Sequence, residues 1–498
     1  MGFYLKCKKF DISTGGPNIV LMNEQEAINY GLHAGDRVSL IWNKNKRMIA
    51  EVDLSDKKVE PGELGLFEEV WKKKGVEQDE IVELILESRP LSIETLKKKM
   101  LGQPATYEEI YALIKDIADD KFGKIETTYY AASGFVKPFS DKELYYVTKA
   151  MADTGEKFNL KVKVSDKHSV GGLAGNRITP IIVSIVASLG IYIPKTSSRA
   201  ITSPAGTADT MEVLCPVSFS MPEIKKIIRK TKACLVWGGG LRLAPADDKI
   251  IKVSRPLALE SYDKMTVSIM SKKVATGVDY LVVDVPVGKS CKVPDMKQAR
   301  KIEESFKKIC KMFKIKVKVV KTVANEPIGR GIGPALEARD ILRVLQQHKF
   351  RPLDLEKKGC KLAGELLELN GYCRPGRGLA IAQKQIKNGS AWKKFNQIII
   401  AQGGKKNWNS EEVMQEVERY EIHADKNGCI KFVDNAAINE VCMNLGAPID
   451  KYAGIHTHVR YNQKVKKGQK LYTMYATGAE RLKLGIIAAK ENVVFQVS

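Results

Sequence analysis

The sequence predicts a multidomain α/β protein. Three observations carry that expectation. The period of the apolar residues changes along the chain, from strand-like to helical and back. A long middle stretch repeats a pattern of strand, turn and helix. Two of the turns in that stretch are crowded with glycine, hydroxyl and basic side chains.

The first stretch, 1–88, reads as a β-rich N-terminal module. Arg37 to Trp42 and Met48 to Val52 alternate or carry β-formers, and Gly35-Asp36 and Asn43-Lys44-Asn45 punctuate them as turns. A small barrel fits this pattern. Between 89 and 160 the period becomes helical. Ser92 stands at the start of one helix, Thr106 at the start of a second with Glu109 three residues on, and Ser140 opens another. Ile110, Leu113, Ile114 and Ile117 recur at helical spacing. The span 161–415 alternates strands and helices, as expected of a mixed α/β sheet covered on both faces. Its strand candidates are Leu160 to Val164, Cys234 to Trp237, Tyr280 to Val285 and Lys316 to Val320. The last span, 416–498, returns to β character at Gly428 to Val433 and Lys470 to Tyr475, which predicts a C-terminal α+β domain.

Composition narrows the class. The chain has 498 residues, enough for several cores without disulfides. No run approaches the ~18 uncharged apolar residues of a membrane helix. The longest apolar region, Ile178 to Ile193, is interrupted by Thr179, Pro180, Ser184, Ser188 and Gly190, and predicts a buried helix with its turn. Met1 to Cys7 lacks a signal-like apolar run, so a cytoplasmic location is expected. The 9 cysteines form no C-x-x-C pair and the 6 histidines are dispersed, so neither a disulfide framework nor a metal site is expected. His456 and His458 share a strand face, but no third ligand accompanies them. The net charge of +23 favours anionic ligands. The lysines are spread along the chain without a basic tail, and no nucleic-acid motif is present, so specific nucleic-acid binding is not expected.

Three motifs carry chemistry. Lys167 to Arg177 reads KHSVGGLAGNR. Glycines let backbone approach a phosphate, Lys167 adds charge and Ser169 a hydroxyl. The Walker spacing is absent. Lys195 to Glu212 surrounds Arg199 with Thr196, Ser197, Ser198, Thr202, Ser203 and Thr207, a donor set that suits phosphate oxygens. In Ser268 to Lys273, Ser268 and Lys272 lie four apart on one helical face. Taken singly, these are also compatible with structural turns, helix caps and a solvated helix.

Together, and in this order with Trp237 to Asp248 (WGGGLRLAPADD) and Asn325 to Asp340 (NEPIGRGIGPALEARD), they resemble the thymidine/pyrimidine nucleoside phosphorylase family. The likeness covers nearly the whole chain. It is closest to the AMP phosphorylase branch, on the strength of Ser198 to Ser203, the β-rich N-terminal module, and Asp434, Gly446 and Gly454-Ile455-His456.

The resemblance implies a pentosyltransferase that splits AMP with phosphate into adenine and α-D-ribose 1,5-bisphosphate, with CMP and UMP as further substrates. It needs no metal or other cofactor, since inorganic phosphate is a co-substrate. It implies that Lys167, Ser169, Ser197 and Thr207 contact phosphate. Gly172, Ser198, Arg199, Ala200, Ile201, Thr202, Ser203, Thr207, Ser268 and Lys292 would contact the nucleotide, and His168, Arg255 and Lys272 would flank the base. Glu260 stands where AMP-type relatives carry an aspartate proton donor, one methylene shorter. Ile178 stands where relatives often have a hydroxyl, with Thr179 next to it. The segment 245–275 is expected to join the helical domain in space, and a homodimer or larger homo-oligomer is implied. Two other readings stay open: a phosphorylase of thymidine or other pyrimidine nucleosides, and a non-catalytic nucleotide- or RNA-binding protein.

Overall fold

The computed structural model describes residues 2–43, 45–200, 203–254, 256–257 and 261–498. It divides into two compact units, Met1–Tyr130 and Ala131–Ser498.

The first unit contains a closed six-stranded barrel. Around it run Phe3–Lys9, Glu63–Leu66, Ile19–Asn23, Lys46–Ser55, Arg37–Trp42 and Ile81–Leu86. Alternation sends Leu5, Val20, Met22, Val38, Leu40, Leu64 and Leu84 into the lumen, where each is essentially inaccessible. Beyond the barrel come the helices Ile93–Leu101 and Tyr107–Ala118. The second is closed by a capping box between Thr106 and Glu109. Ser92, expected to cap the first, makes no cap bond. Its hydroxyl donates instead to Asp116 at 2.7 Å, because the residue takes helical backbone angles.

The second unit is built on parallel strands. Lys316–Val323, Tyr280–Val287 and Ser165–Ser169 form one ladder, and Ile193–Ser197 with Ala233–Trp237 another. A parallel bridge between Val164 and Tyr192 links the two. The expected strand at Leu160 to Val164 lies further on, at Ser165–Ser169. Its sequence, SDKHS, carries no apolar alternation, because its buried side chains are held by ion pairs rather than by packing. Beneath the sheet lies the helix Thr179–Ser188, in which every residue but Ser188 is buried. Pro180 fits in its first turn, where no amide donor is needed. Helices Leu353–Leu369 and Ser390–Ala401 pack against it in a continuous apolar core.

Helix Tyr262–Ala275 packs on helix Asp141–Asp153. The C-terminal part holds two antiparallel sheets. One runs Gly331–Ile332, Gly454–Thr457, Lys470–Ala476, Glu418–His423, so the turn of the Asn325 to Asp340 motif supplies its edge. The other runs Lys464–Val465, Gly428–Val433, Phe495–Val497. All nine cysteines are free. Among the described residues no helix is long and apolar enough to cross a membrane.

Candidate active site

The strand Ser165–Ser169 ends inside a network of buried charge. Lys167 is only 2% exposed, too little for an ordinary solvated lysine. Its ammonium lies 3.4 Å from the hydroxyl of Thr179, the first residue of the buried helix. Burial is the largest influence on it. Asp284 opposes that influence, Lys195, Lys358 and Arg177 add to it, and the ammonium is brought down to about 7. Ser169 donates to Asp284 at 3.0 Å. Asp284 also accepts from Asn176 at 3.2 Å and Thr322 at 3.0 Å, and pairs with Lys358 at 3.0 Å. Burial alone would raise this carboxyl, but Lys358 and then Lys167 outweigh it and hold it below its usual value.

Behind the strand, Asp166 binds Lys195 at 3.1 Å and Lys273 at 2.5 Å. This ties the helix Tyr262–Ala275 to the strand. Burial, against the pull of Asp166 and with the push of Lys273, lowers Lys195 to about 8. His168 is driven well below its ordinary value by burial, then by Lys273, Lys195, Lys167 and Lys272, so its imidazole is neutral. On the same helix, Ser268 donates to Asp247 at 2.8 Å, and Lys272 pairs with Asp247 at 2.7 Å and Asp248 at 3.3 Å. The helix expected to be a solvated charged one as a structural alternative is thus anchored by its lysines: Lys273 is buried and Lys272 is bound to two carboxylates.

The second motif reaches the same place through Arg177. That side chain pairs with buried Glu337, donates to the carbonyl of Ala205 at 2.6 Å and lies 3.5 Å from the hydroxyl of Thr207. Glu337 also accepts from Thr210 at 3.1 Å. Asp209 accepts from the amides of Ala200 at 2.7 Å and Gly206 at 2.9 Å, closing the loop on itself. Ser198 accepts from the amide of Ala208 at 3.3 Å, Ser203 donates to Ala205, and Ser197 donates to Val236 at 3.2 Å.

Arg199, an expected nucleotide contact, is ion-paired within the chain. Glu212 and Asp209 bind it at 2.6 Å and 3.1 Å, and it lies over the Trp237 ring at 5.0 Å. Glu212 first, then Asp209, hold it firmly charged. Its guanidinium therefore already has its anions within the chain.

Gly172 takes φ +83, and a Cβ there would lie 2.7 Å from the Cβ of Lys292, so these two expected nucleotide contacts are neighbours. Glu260, Arg255, Ile201 and Thr202 lie outside the described residues.

Residues assigned no role from the sequence hold this arrangement: Asp284, Asp166 and Lys358 outside the motifs, and Lys195, Lys273, Glu337 and Asp247 within them. The one available signal was acid in unusual places, such as Asp284 inside the apolar run Tyr280–Val287.

Two family models match the chain. Residues 161–392 match the glycosyl transferase family a/b domain, and 429–496 match the pyrimidine nucleoside phosphorylase C-terminal domain. The AMP phosphorylase of Methanocaldococcus jannaschii is 39% identical over 98% of this chain and 96% of its own length. That of Thermofilum pendens is 39% identical over 93% and 89%, and that of Methanococcus maripaludis is 40% identical over 96% and 94%. In fold, the chain is similar to anthranilate phosphoribosyltransferase from Thermus thermophilus, at TM-score 0.50 and 16% identity over 62% of this chain and 99% of the other. With near-complete overlap at this identity, the chain belongs to the AMP phosphorylase family.

Proposed function

We propose that the chain cleaves the glycosidic bond of AMP by phosphorolysis, giving adenine and α-D-ribose 1,5-bisphosphate, with CMP and UMP as further substrates. The observation that supports this reading is that Lys167 faces Thr179 and Ser169 meets Asp284 at the end of a parallel strand, while Arg177, from the turn that follows, lies against Thr207 of the second motif.

The chemistry asks for an anion held beside the ribose. Breaking the C1′–N bond builds positive character on the sugar and negative charge on the base. Phosphate gripped by Lys167, Ser169, Ser197 and Thr207 supplies both the attacking oxygen and the charge that stabilises C1′. Lys167 gains its proton fully only beside an anion, since burial lowers it to about 7 without one. Gly172, Ser268, Lys292 and the loop Ser198 to Ser203, Arg199 included, would receive the nucleotide. Neutral His168, Arg255 and Lys272 would flank the base. Glu260 would deliver the proton to the purine.

In this working layout the domains are 1–88, 89–160 with 245–275, 161–415 and 416–498, and the protein is a cytoplasmic homodimer or larger. No metal or redox group is needed for these steps. The test is adenine release from AMP by wild type and Glu260→Gln with and without phosphate. Loss of a positioned acid should cost about 10²–10⁴-fold in rate. An unchanged rate in the variant removes Glu260 from its role. Better turnover of thymidine and uridine than of AMP would replace the nucleotide reading by the nucleoside one.

A further inference from the structure

A cavity of about 640 Å³ lies in the second unit, between the turn that carries Arg330, the segment Phe350 to Asp354 and the end of the strand Gly454–Thr457. Its volume suits a small organic ligand. Four arginines and two histidines line it, and it shares no residue with the Lys167 network.

Most of that charge is already answered. Arg343 is bound in a fork by Glu411 at 2.7 Å, Arg351 by Glu356 at 2.7 Å and Arg460 by Asp354 at 3.0 Å. Arg330 is the exception. Its main chain is pinned, with its amide donating to Asp340 at 2.7 Å and its carbonyl accepting from the amide of Thr457 at 2.9 Å. Its Nη1 is buried and has no hydrogen-bond partner. Burial, then Arg460, depresses the guanidinium. A buried donor on a fixed backbone and with no acceptor is an unfavourable arrangement that an incoming anion would relieve.

A second donor points the same way. Arg339 Nη2 lies 3.0 Å from His456 Nδ1, and Arg339 can only donate, so Nδ1 is the acceptor and the ring carries its proton on Nε2. Burial first, then Arg339, lowers His456 to about 2, so the ring stays neutral. Arg330 and His456 both line the cavity, and Arg330 is among the charges that keep this ring neutral. Phe350, 61% exposed, offers an apolar wall that bare phosphate would leave unused.

We propose that this cavity is a second anion site, in which Arg330 and His456 hold a phosphate group, either that of free phosphate or that of a nucleotide whose ring rests on Phe350. The test is hydrogen–deuterium exchange on the full chain, followed at peptides spanning 350–354 and 454–460. Inorganic phosphate and AMP serve as separate probes.

The expected result is saturable protection of both peptides in wild type. Arg330→Gln should shift half-saturation upward by about tenfold or more, as loss of a charge-assisted bond demands. Phe350→Ala alters an exposed ring and should leave folding intact. If it weakens AMP but not phosphate, the ligand is a nucleotide; if both probes are unaffected by it, free phosphate is the ligand. Absence of saturable protection in wild type with either probe overturns the proposal. So does identical protection in a folded Arg330→Gln, checked by its melting temperature.

Discussion

Lys167 stores a conflict between stability and binding. Its side chain is buried, and its ammonium is lowered to about 7 from an ordinary 10.5. The unfolded chain keeps that proton up to its ordinary value, so burying the lysine costs stability in full below about pH 7. The cost shrinks as pH rises and is gone near the unfolded value. Lys167→Met should therefore abolish phosphorolysis while raising stability by about 1–4 kcal/mol at neutral pH, with Lys358 left to balance Asp284. Denaturant titration of both proteins at several pH values measures this, and a destabilised variant would refute it. The same depression makes anion binding draw a proton. Sulfate, whose charge is constant from about pH 6 to about pH 9, should inhibit less well as pH rises above about 7, by up to about tenfold per pH unit. An inhibition constant flat across that range would show that Lys167 stays charged without a ligand.

Elements position these residues, and here the sequence was unevenly legible. Thr106 and Ser140 wrote their capping boxes openly, since the caps are local. Tyr280–Val287 and Ala233–Trp237 were readable because apolar runs bury on both faces of a parallel sheet. The strand that matters most, Ser165–Ser169, was not. What makes it a strand is Lys195 and Lys273 meeting Asp166 from far away in the chain, and Asp284 meeting Ser169. Local pattern holds no trace of such partners. The motifs found the right loops, but their acids were missed, and Arg199 proved to be bound to Asp209 and Glu212. The turn after the strand carries its own prediction. Gly172→Ala must force a left-handed backbone and a clash at 2.7 Å with Lys292. It should raise KM for AMP by about tenfold or more while leaving the barrel intact, read by steady-state kinetics beside circular dichroism. An unchanged KM would detach this turn from the nucleotide.

At the scale of the whole molecule, a large share of the buried lysines gathers at one place. Lys167, Lys195, Lys273 and Lys358 are balanced by Asp166 and Asp284, leaving the cluster short of negative charge. A buried excess of cations is unfavourable unless an anion completes it, and on the proposed function phosphate would do so at the strand end beside Thr179. On this reading the cluster awaits a reactant anion, so phosphate should be an obligatory participant rather than an activator. The measurement that tests this most directly is product analysis of AMP turnover with phosphate present and rigorously removed. Adenine and ribose 1,5-bisphosphate in equal amounts, with no adenine released without phosphate, is the predicted result. Adenine release with free ribose 5-phosphate in phosphate-free buffer would contradict it.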